Sequence, residues 1–509
     1  MRLIHSLAVG LIVPIAFSFA MGQQDLRKIE LFIVEKKTGK PVPCRIHLKD
    51  KNGKPQRALA LPFWHDHFVC QGIAQLQLHP GEYTYEVERG PEYVKATGTF
   101  TVNENNQVKI NVELERLLNL KKEGWWSGDL HVHRSVADIE LLMRAEDLHL
   151  APVITWWNDR NEWARKSFPE NPLVQFDHNR YYHVMAGEDE REGGALLYFN
   201  LQQPLAITSS SREYPSPMKF ISDARRHKNV WVDVEKPFWW DVPVWLASRE
   251  VDSIGLANNH MCRDKQYENE AWGKPRDAER LPPPLGNGFW TQEIYYHVLN
   301  CGLRIPPSAG TASGVLPNPV GYNRVYVQLG DDFTWDKWWE GLRAGKVFVT
   351  NGPLLRVLVN GQYPGHVFSG PKDKEVDLDV KVSLASREQV RFLEIIKNGQ
   401  IERKVPYEDW AKTGTLGRIS FQVSGWFLVR VITDNPKTFR FASTGPYYVE
   451  VGDVKNHVSR ASARFFLNWI QERTERIKLD KEDQKKEVLK HHADAKRFWQ
   501  AILASANAD

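Results

Sequence analysis

The chain has 509 residues, 42% hydrophobic and 26% charged, with 67 basic and 63 acidic side chains giving a formal net charge of +4. That length exceeds what one hydrophobic core serves, so two or three domains are expected, and the composition excludes a disordered chain. So even a charge balance, with no dense Lys/Arg run, argues against a nucleic-acid partner and against attraction to an anionic membrane.

The chain opens with Met1-Arg2-Leu3-Ile4-His5, an apolar run over 7–20 and small residues near Gly22. This is the pattern of a secretory signal peptide over residues 1–22, too short for a spanning helix, and it predicts a periplasmic or secreted protein. No later segment approaches membrane-spanning length, so no integral membrane association is expected. Cys44, Cys70, Cys262 and Cys301 form no CxxC pair. Export permits disulfides Cys44–Cys70 and Cys262–Cys301, and buried free thiols are the alternative.

Residues 27–118 read as strands separated by turns, with Ile29, Leu31 and Ile33 on one face and Tyr83, Tyr85 and Val87 alternating after His79-Pro80-Gly81. The expected unit is a small β-sandwich, and it resembles the carboxypeptidase-regulatory-like sandwich found ahead of exported enzymes. Its Trp64-His65-Asp66-His67 cluster has metal-binding residue types, although such a cluster near a turn also serves structure.

Over 120–352 short apolar strands (125–130, 152–156, 181–186, 230–234 and 251–257) alternate with helical stretches such as 139–145 and 217–227. That alternation predicts a barrel-like α/β domain. His131, His133, Asn158, Asp159, Glu188, Glu235 and His260 fall at the C-terminal ends of those strands, where a barrel gathers its active site. A second sandwich is expected over 353–452, where Val376, Leu378, Val380 and Val382 alternate. Two helices are expected over 458–505, with Ala463, Phe466, Trp469 and Ile470 at helical spacing.

The chemistry concentrates in Asp129-Leu130-His131-Val132-His133. On an extended segment side chains repeat with period two, so both imidazoles point toward one ion. Asp129 shares that parity and is either a further ligand or an acceptor that orients a histidine. His131, His133, Glu188 and His260 then form a mixed nitrogen and oxygen set. It suits Zn, whereas Mn or Ca would prefer more oxygen; the ion expected is Zn or Mn, with Ca the further alternative.

Gly128-Asp129-Leu130-His131-Val132-His133, with Glu188 in Ala186-Gly187-Glu188, resembles the opening motifs of the PHP superfamily, and in particular its CehA/McbA-type metallohydrolases. The resemblance spans roughly 122–360. It implies a distorted seven-stranded β/α barrel, a metal-bridging role for Glu188, divalent metals and hydrolysis of phosphate esters or other esters and carbamates. The departures are specific. The family's Thr-Asp-His-Asn falls on Thr155-Trp156-Trp157-Asn158, its Asn-His-Pro on Glu235-Lys236-Pro237, and its Gly-Ser-Asp-x-His near Gly310-Thr311-Ala312-Ser313-Gly314. A full multinuclear centre is therefore not expected.

The fold expected is multidomain α/β plus all-β: a distorted PHP-like barrel flanked by β-sandwiches, with C-terminal helices. Glu235, Asp159 and Glu190 are candidates for proton transfer, and Lys236, Arg160 or Arg304 for steadying negative charge. Trp156, Trp157, Trp239 and Trp240, with Asn158, Arg160 and Arg304, are candidate substrate contacts, because indole faces suit sugar rings. The same tryptophans equally suit a large core. If the substrate is a glycoside, Glu188 and Glu235 form the carboxylate pair. The expected activity is an exported, metal-dependent hydrolase acting on a small molecule or carbohydrate through a reduced, mononuclear site. The alternative is a catalytically inactive carbohydrate-binding module or surface interaction protein.

Overall fold

The structure is a computed structural model that describes residues 26–103, 108–207 and 211–509. The expected signal peptide, 1–22, lies outside the described residues.

Ile29, Leu31 and Ile33 are buried along one face of Arg27–Glu35, as their alternation predicts. That strand pairs antiparallel with Ile73–Leu78 and parallel with Val108–Leu114. A second, five-stranded sheet contains Phe63–Trp64, His67–Cys70, Cys44–Asp50, Gly81–Glu88 and Ala96–Val102 in that order. The two sheets enclose a single apolar core. Cys44 and Cys70 oppose each other on neighbouring strands as free thiols, their Sγ atoms 3.7 Å apart. Cys262 and Cys301 are not partners: Cys262 Sγ donates to the Asn259 carbonyl at 3.3 Å, and Cys301 caps the helix Gly286–Asn300.

From Trp125 onward the chain builds a closed sheet from Trp125–Gly128, Leu150–Trp157, Arg180–Arg191, Gly194–Phe199, Trp231–Val234, Ser253–Ala257, Pro307–Ala309 and Arg324–Gln328. The helices Ile139–Ala145, Pro217–Ala224, Val242–Ser248, Gly286–Asn300 and Trp335–Arg343 lie between strands. Trp335, Trp338, Trp339 and Leu342 are the buried stripe of the last, and Thr334 caps it by accepting from Lys337 N.

The sheet is mixed rather than uniformly parallel. Arg180–Arg191 and Gly194–Phe199 form an antiparallel hairpin, and Arg324–Gln328 returns antiparallel on Trp125–Gly128. Gly194 makes the reversal, with φ at 121° and no room for a Cβ, which would lie 2.3 Å from Trp239 Cβ. Glu188 therefore sits inside a long strand, not at a strand end, and Glu190 follows it on the same face.

In the third region Leu378, Val380 and Val382 are buried while Asp377, Asp379 and Lys381 face water, so Val376–Ala385 is a half-buried strand. It pairs with Leu354–Val359 and Thr415–Phe421. The opposite layer continues the barrel: Phe441–Thr444 pairs with Val347–Thr350 on one side and Gly425–Thr433 on the other. The helices Arg460–Arg476 and Glu482–Ala504 pack on each other and on Val242–Ser248, and Trp499 Nε1 donates to the Pro243 carbonyl at 2.9 Å. No described helix is long and apolar enough to cross a membrane.

Candidate metal centre

After Gly128 the chain runs between two neighbours without forming a full strand. Leu130 N donates to Ala309 O at 3.0 Å, Ala312 N to His131 O at 2.7 Å, His133 N to Ser313 O at 2.8 Å and Ile154 N to Val132 O at 2.8 Å. Leu130 and Val132 are buried in apolar cores, which leaves the histidines to turn the other way. Asp129 is not a ligand. Its carboxylate accepts from the backbone N–H of His131 at 3.1 Å, Thr311 at 3.0 Å and Gly321 at 2.7 Å, and so fixes the loop that presents both imidazoles. Burial lifts its pKa to about 6 against those hydrogen bonds.

Gly310 packs directly on the first histidine; a Cβ there would lie 2.5 Å from His131 Cβ. Gly310→Ala is expected to push His131 out of register and lower metal affinity roughly 10–100-fold, the range typical of disturbing a ligand's support. Titration calorimetry with Zn²⁺ checks this, and wild-type affinity would show the contact to be slack.

His131 Nε2 and His133 Nε2 lie 3.0 Å apart, and Glu188 Oε2 is 3.4 Å from the former and 3.1 Å from the latter. Ligands about 2.0–2.1 Å from a tetrahedral zinc stand roughly 3.3 Å from one another, so this triangle fits one ion. His131 and Glu188 are almost fully buried, and His133 is half-buried. Burial lowers the His133 pKa, which leaves its ring neutral and able to ligate. Burial also opposes charge on Glu188, but the two histidines outweigh it and hold the carboxylate well below its usual range. At His131 burial is outweighed by Glu188 and Glu235, which raise its pKa to about 10. The His131 ring therefore carries a proton, which a metal ion would have to displace.

Glu235 stands behind His131, its Oε1 3.5 Å from Nδ1. It is not a free base. Lys236 Nζ contacts its two oxygens at 2.7 and 2.5 Å, Trp239 Nε1 donates to Oε2 at 2.9 Å, and the His131 ring separates it from Glu188. Burial is outweighed by Lys236 and His131, which lower the Glu235 pKa to about 2. The arrangement is the carboxylate–histidine pairing that orients metal ligands. Lys236 is likewise tied up in the ion pair and does not reach out as a free ammonium. Asp233, which sequence reasoning missed, lies one alternation before Glu235 and accepts from Ser253 Oγ and, at 2.5 Å, from Ser308 Oγ. Its signal was present in Trp231-Val232-Asp233-Val234-Glu235, where the two acids share a parity.

Glu190 is half-buried, and its carboxylate has no hydrogen-bond partner among the described residues. Burial, reinforced by the charges of Glu188 and Glu235, raises its pKa to about 7. Asn158 does not reach the ligands: it forms a turn with φ at 47°, and its side chain bonds Glu190 N at 2.9 Å and Glu190 O at 2.7 Å. Asp159 is exposed at the tip of that turn. Trp157 is half-buried beside His133, ring centroids 5.1 Å apart, with the Arg160 guanidinium over its ring at 5.1 Å.

Several expectations are corrected. His260 is outside the ligand triangle; its Nδ1 donates to Asn269 O at 3.1 Å, and burial followed by Lys236 lowers its pKa to about 3. Trp156, Trp239 and Trp240 are core residues without an open face. Trp156 packs over Gly187, Trp239 meets Trp272 in a tilted contact with ring centroids 4.7 Å apart, and Trp240 meets Arg476 of the C-terminal helices. Arg304 lies elsewhere, paired with Glu450 at 2.8 Å over Tyr448.

The Trp64–His67 cluster also gathers donors. Asp66 lies 3.0 Å from His47 Nδ1 and 3.1 Å from His67 Nδ1, while His65 is largely exposed. Arg45 Nε donates to His47 Nε2 at 3.0 Å, which keeps the ring proton on Nδ1 and withholds that nitrogen from a metal. The donor atoms of His47, Asp66 and His67 nonetheless lie within 4.8 Å of one another, close enough to hold an ion.

No family model matches the chain, and no curated protein matches it. Among solved structures it is similar to a streptococcal ancillary pilin over 22% of this chain and 38% of that chain, at 16% identity and a TM-score of 0.15, a likeness that carries no argument.

Proposed function

We propose that the protein is an exported, metal-dependent hydrolase with one divalent ion, a divergent relative of the CehA/McbA-type PHP enzymes. The observation that carries this reading is the buried His131, His133 and Glu188 triangle, with Glu235 behind His131. Two imidazoles and one carboxylate favour Zn over Ca, with Mn second. A bound ion supplies Lewis acidity, which polarises a substrate oxygen and makes water a better nucleophile at neutral pH.

The protein's own residues do the rest. Asp129 and Gly310 hold the loop, Glu235 orients His131, and Glu190, with its unpaired carboxyl on the same strand face as Glu188, carries the proton. Trp157 and Arg160 flank the half-buried side of the centre.

The test is a turnover screen of metal-loaded protein against carboxylate, carbamate and phosphate esters, with glycosides as comparison. Glu190→Gln is expected to lower the rate by about 10²–10⁴-fold while the metal content stays unchanged. A ligand bound without turnover across the panel would favour an inactive binding module instead.

A further inference from the structure

We infer that the cleft between the N-terminal sandwich, the barrel and the third region is a binding site for an acidic oligosaccharide, a chain of hydroxyl-rich rings bearing carboxylates. None of its lining residues belongs to the metal centre, so the inference is independent of that reading. The cleft encloses about 1160 Å³, above the roughly 300–1,000 Å³ of a small-molecule pocket, and so suits an oligomer. Its floor is the outer face of the five-stranded sheet. Tyr83 and Tyr85 turn toward the core, which leaves Thr84 and Glu86 outside, with Thr99 and Thr97 as their cross-strand partners. Its walls include Arg263 of the barrel and Arg387 and Lys437 of the third region. One carboxylate fixes floor and walls together. Glu88, 5% exposed, accepts from Arg45 Nη2 at 2.8 Å, Arg263 Nη2 at 2.8 Å and Arg387 Nη1 at 3.2 Å, one arginine from each region. The cleft is therefore preformed, which lowers the cost of binding.

Charge and hydroxyls together select the ligand. Six basic side chains line the cleft against four acidic ones, and each acid is already paired. Besides Glu88, Glu86 takes Lys95 at 2.7 Å and also Arg263, Asp264 takes Arg263 at 2.9 Å, and Glu388 takes Arg440. The spare cations are Lys437, exposed and without an ion pair among the described residues, and Lys49, whose pairing with Asp66 is stretched to 4.0 Å. Thr84, Thr97 and Thr99 are exposed, and their hydroxyls have no partner among the described residues. A threonine hydroxyl both donates and accepts, as a sugar hydroxyl does, while the two ammonium groups answer carboxylates. Val94 and Leu117 are the only aliphatic side chains lining the cleft, too few to anchor a peptide through apolar side chains.

The experiment titrates the full chain calorimetrically with an oligogalacturonate, with a neutral cello-oligosaccharide of equal length and with oligoglutamate. The oligogalacturonate is expected to bind about tenfold or more tightly than either comparison, and to weaken as salt rises. Lys49→Gln/Lys437→Gln is expected to weaken it roughly 10–100-fold, as losing hydrogen bonds to a charged group does, and Thr84→Val/Thr99→Val by about fivefold. Both pairs are surface changes that leave the sheet intact. His131→Ala/His133→Ala is expected to bind it as wild type does, which separates the cleft from the metal centre. No binding, equal binding of the neutral oligosaccharide or of oligoglutamate, or wild-type affinity in either cleft variant overturns the inference. So does loss of binding in the folded histidine variant.

Discussion

The His131→Ala/His133→Ala variant is expected to lose its metal altogether, against one ion per chain in wild type. Both changes remove an Nε2 donor from a triangle whose edges are 3.0, 3.1 and 3.4 Å, leaving the Glu188 carboxylate as sole ligand. The loss should exceed the roughly 10–100-fold that follows from disturbing only a ligand's support. The loop itself is expected to persist, because Asp129 holds it through backbone N–H groups that alanine retains. Elemental analysis with circular dichroism on the same samples separates the two effects. Stoichiometric metal in the folded double variant would remove the centre from these residues.

Arg473→Ala is expected to cost about 3–5 kcal/mol, as breaking a buried ion pair on one side does. Arg473 is 2% exposed, and its guanidinium donates to Asp241 Oδ1 at 2.6 Å and to the Glu213 oxygens at 3.0 and 2.6 Å. Asp241 precedes the helix Val242–Ser248 and donates its backbone N–H to the Gly193 carbonyl in the hairpin, so one arginine ties the C-terminal helices to the strand that carries Glu188. Burial opposes charge on Asp241, yet Arg473 outweighs it and the pKa is lowered. The sign follows: that stabilisation is present above the ordinary carboxylate range and is lost as pH falls through the depressed pKa. In the variant the carboxylate loses the strongest charge opposing its burial and keeps only those of His492 and Arg191, so its deficit should shrink on acidification. Urea melts at pH 7 and pH 5 check this, and a cost below about 1 kcal/mol at pH 7 would show the pair to be solvent-relaxed.

Much of the architecture was written in short-range patterns. Alternation such as Ile29, Leu31, Ile33 or Leu378, Val380, Val382 declares a half-buried strand without outside help, and both sandwich-like regions follow from it. The HxH pair was legible for the same reason, and Glu188 followed from the motif it resembles. What failed were assignments that depend on how distant segments close. A tryptophan has one composition whether it walls a cleft or fills a core, and Trp156, Trp239 and Trp240 fill a core. Arg304 belongs to a contact with Glu450, 146 residues away, which no local pattern announces. Glu235 and Lys236 are both reactive residue types, but adjacency makes them neutralise each other.

The strand Val347–Thr350 has further meaning beyond its place in the ladder. It pairs with Arg324–Gln328 on one edge and with Phe441–Thr444 on the other, so neither edge meets solvent. Residues 353–452 are therefore not a bead on a string but the cover of an otherwise sticky seam, shielding backbone N–H and C=O groups that would template association with another chain. The C-terminal sandwich and the barrel inherit one another's solubility, and neither can be lifted away without uncovering the other.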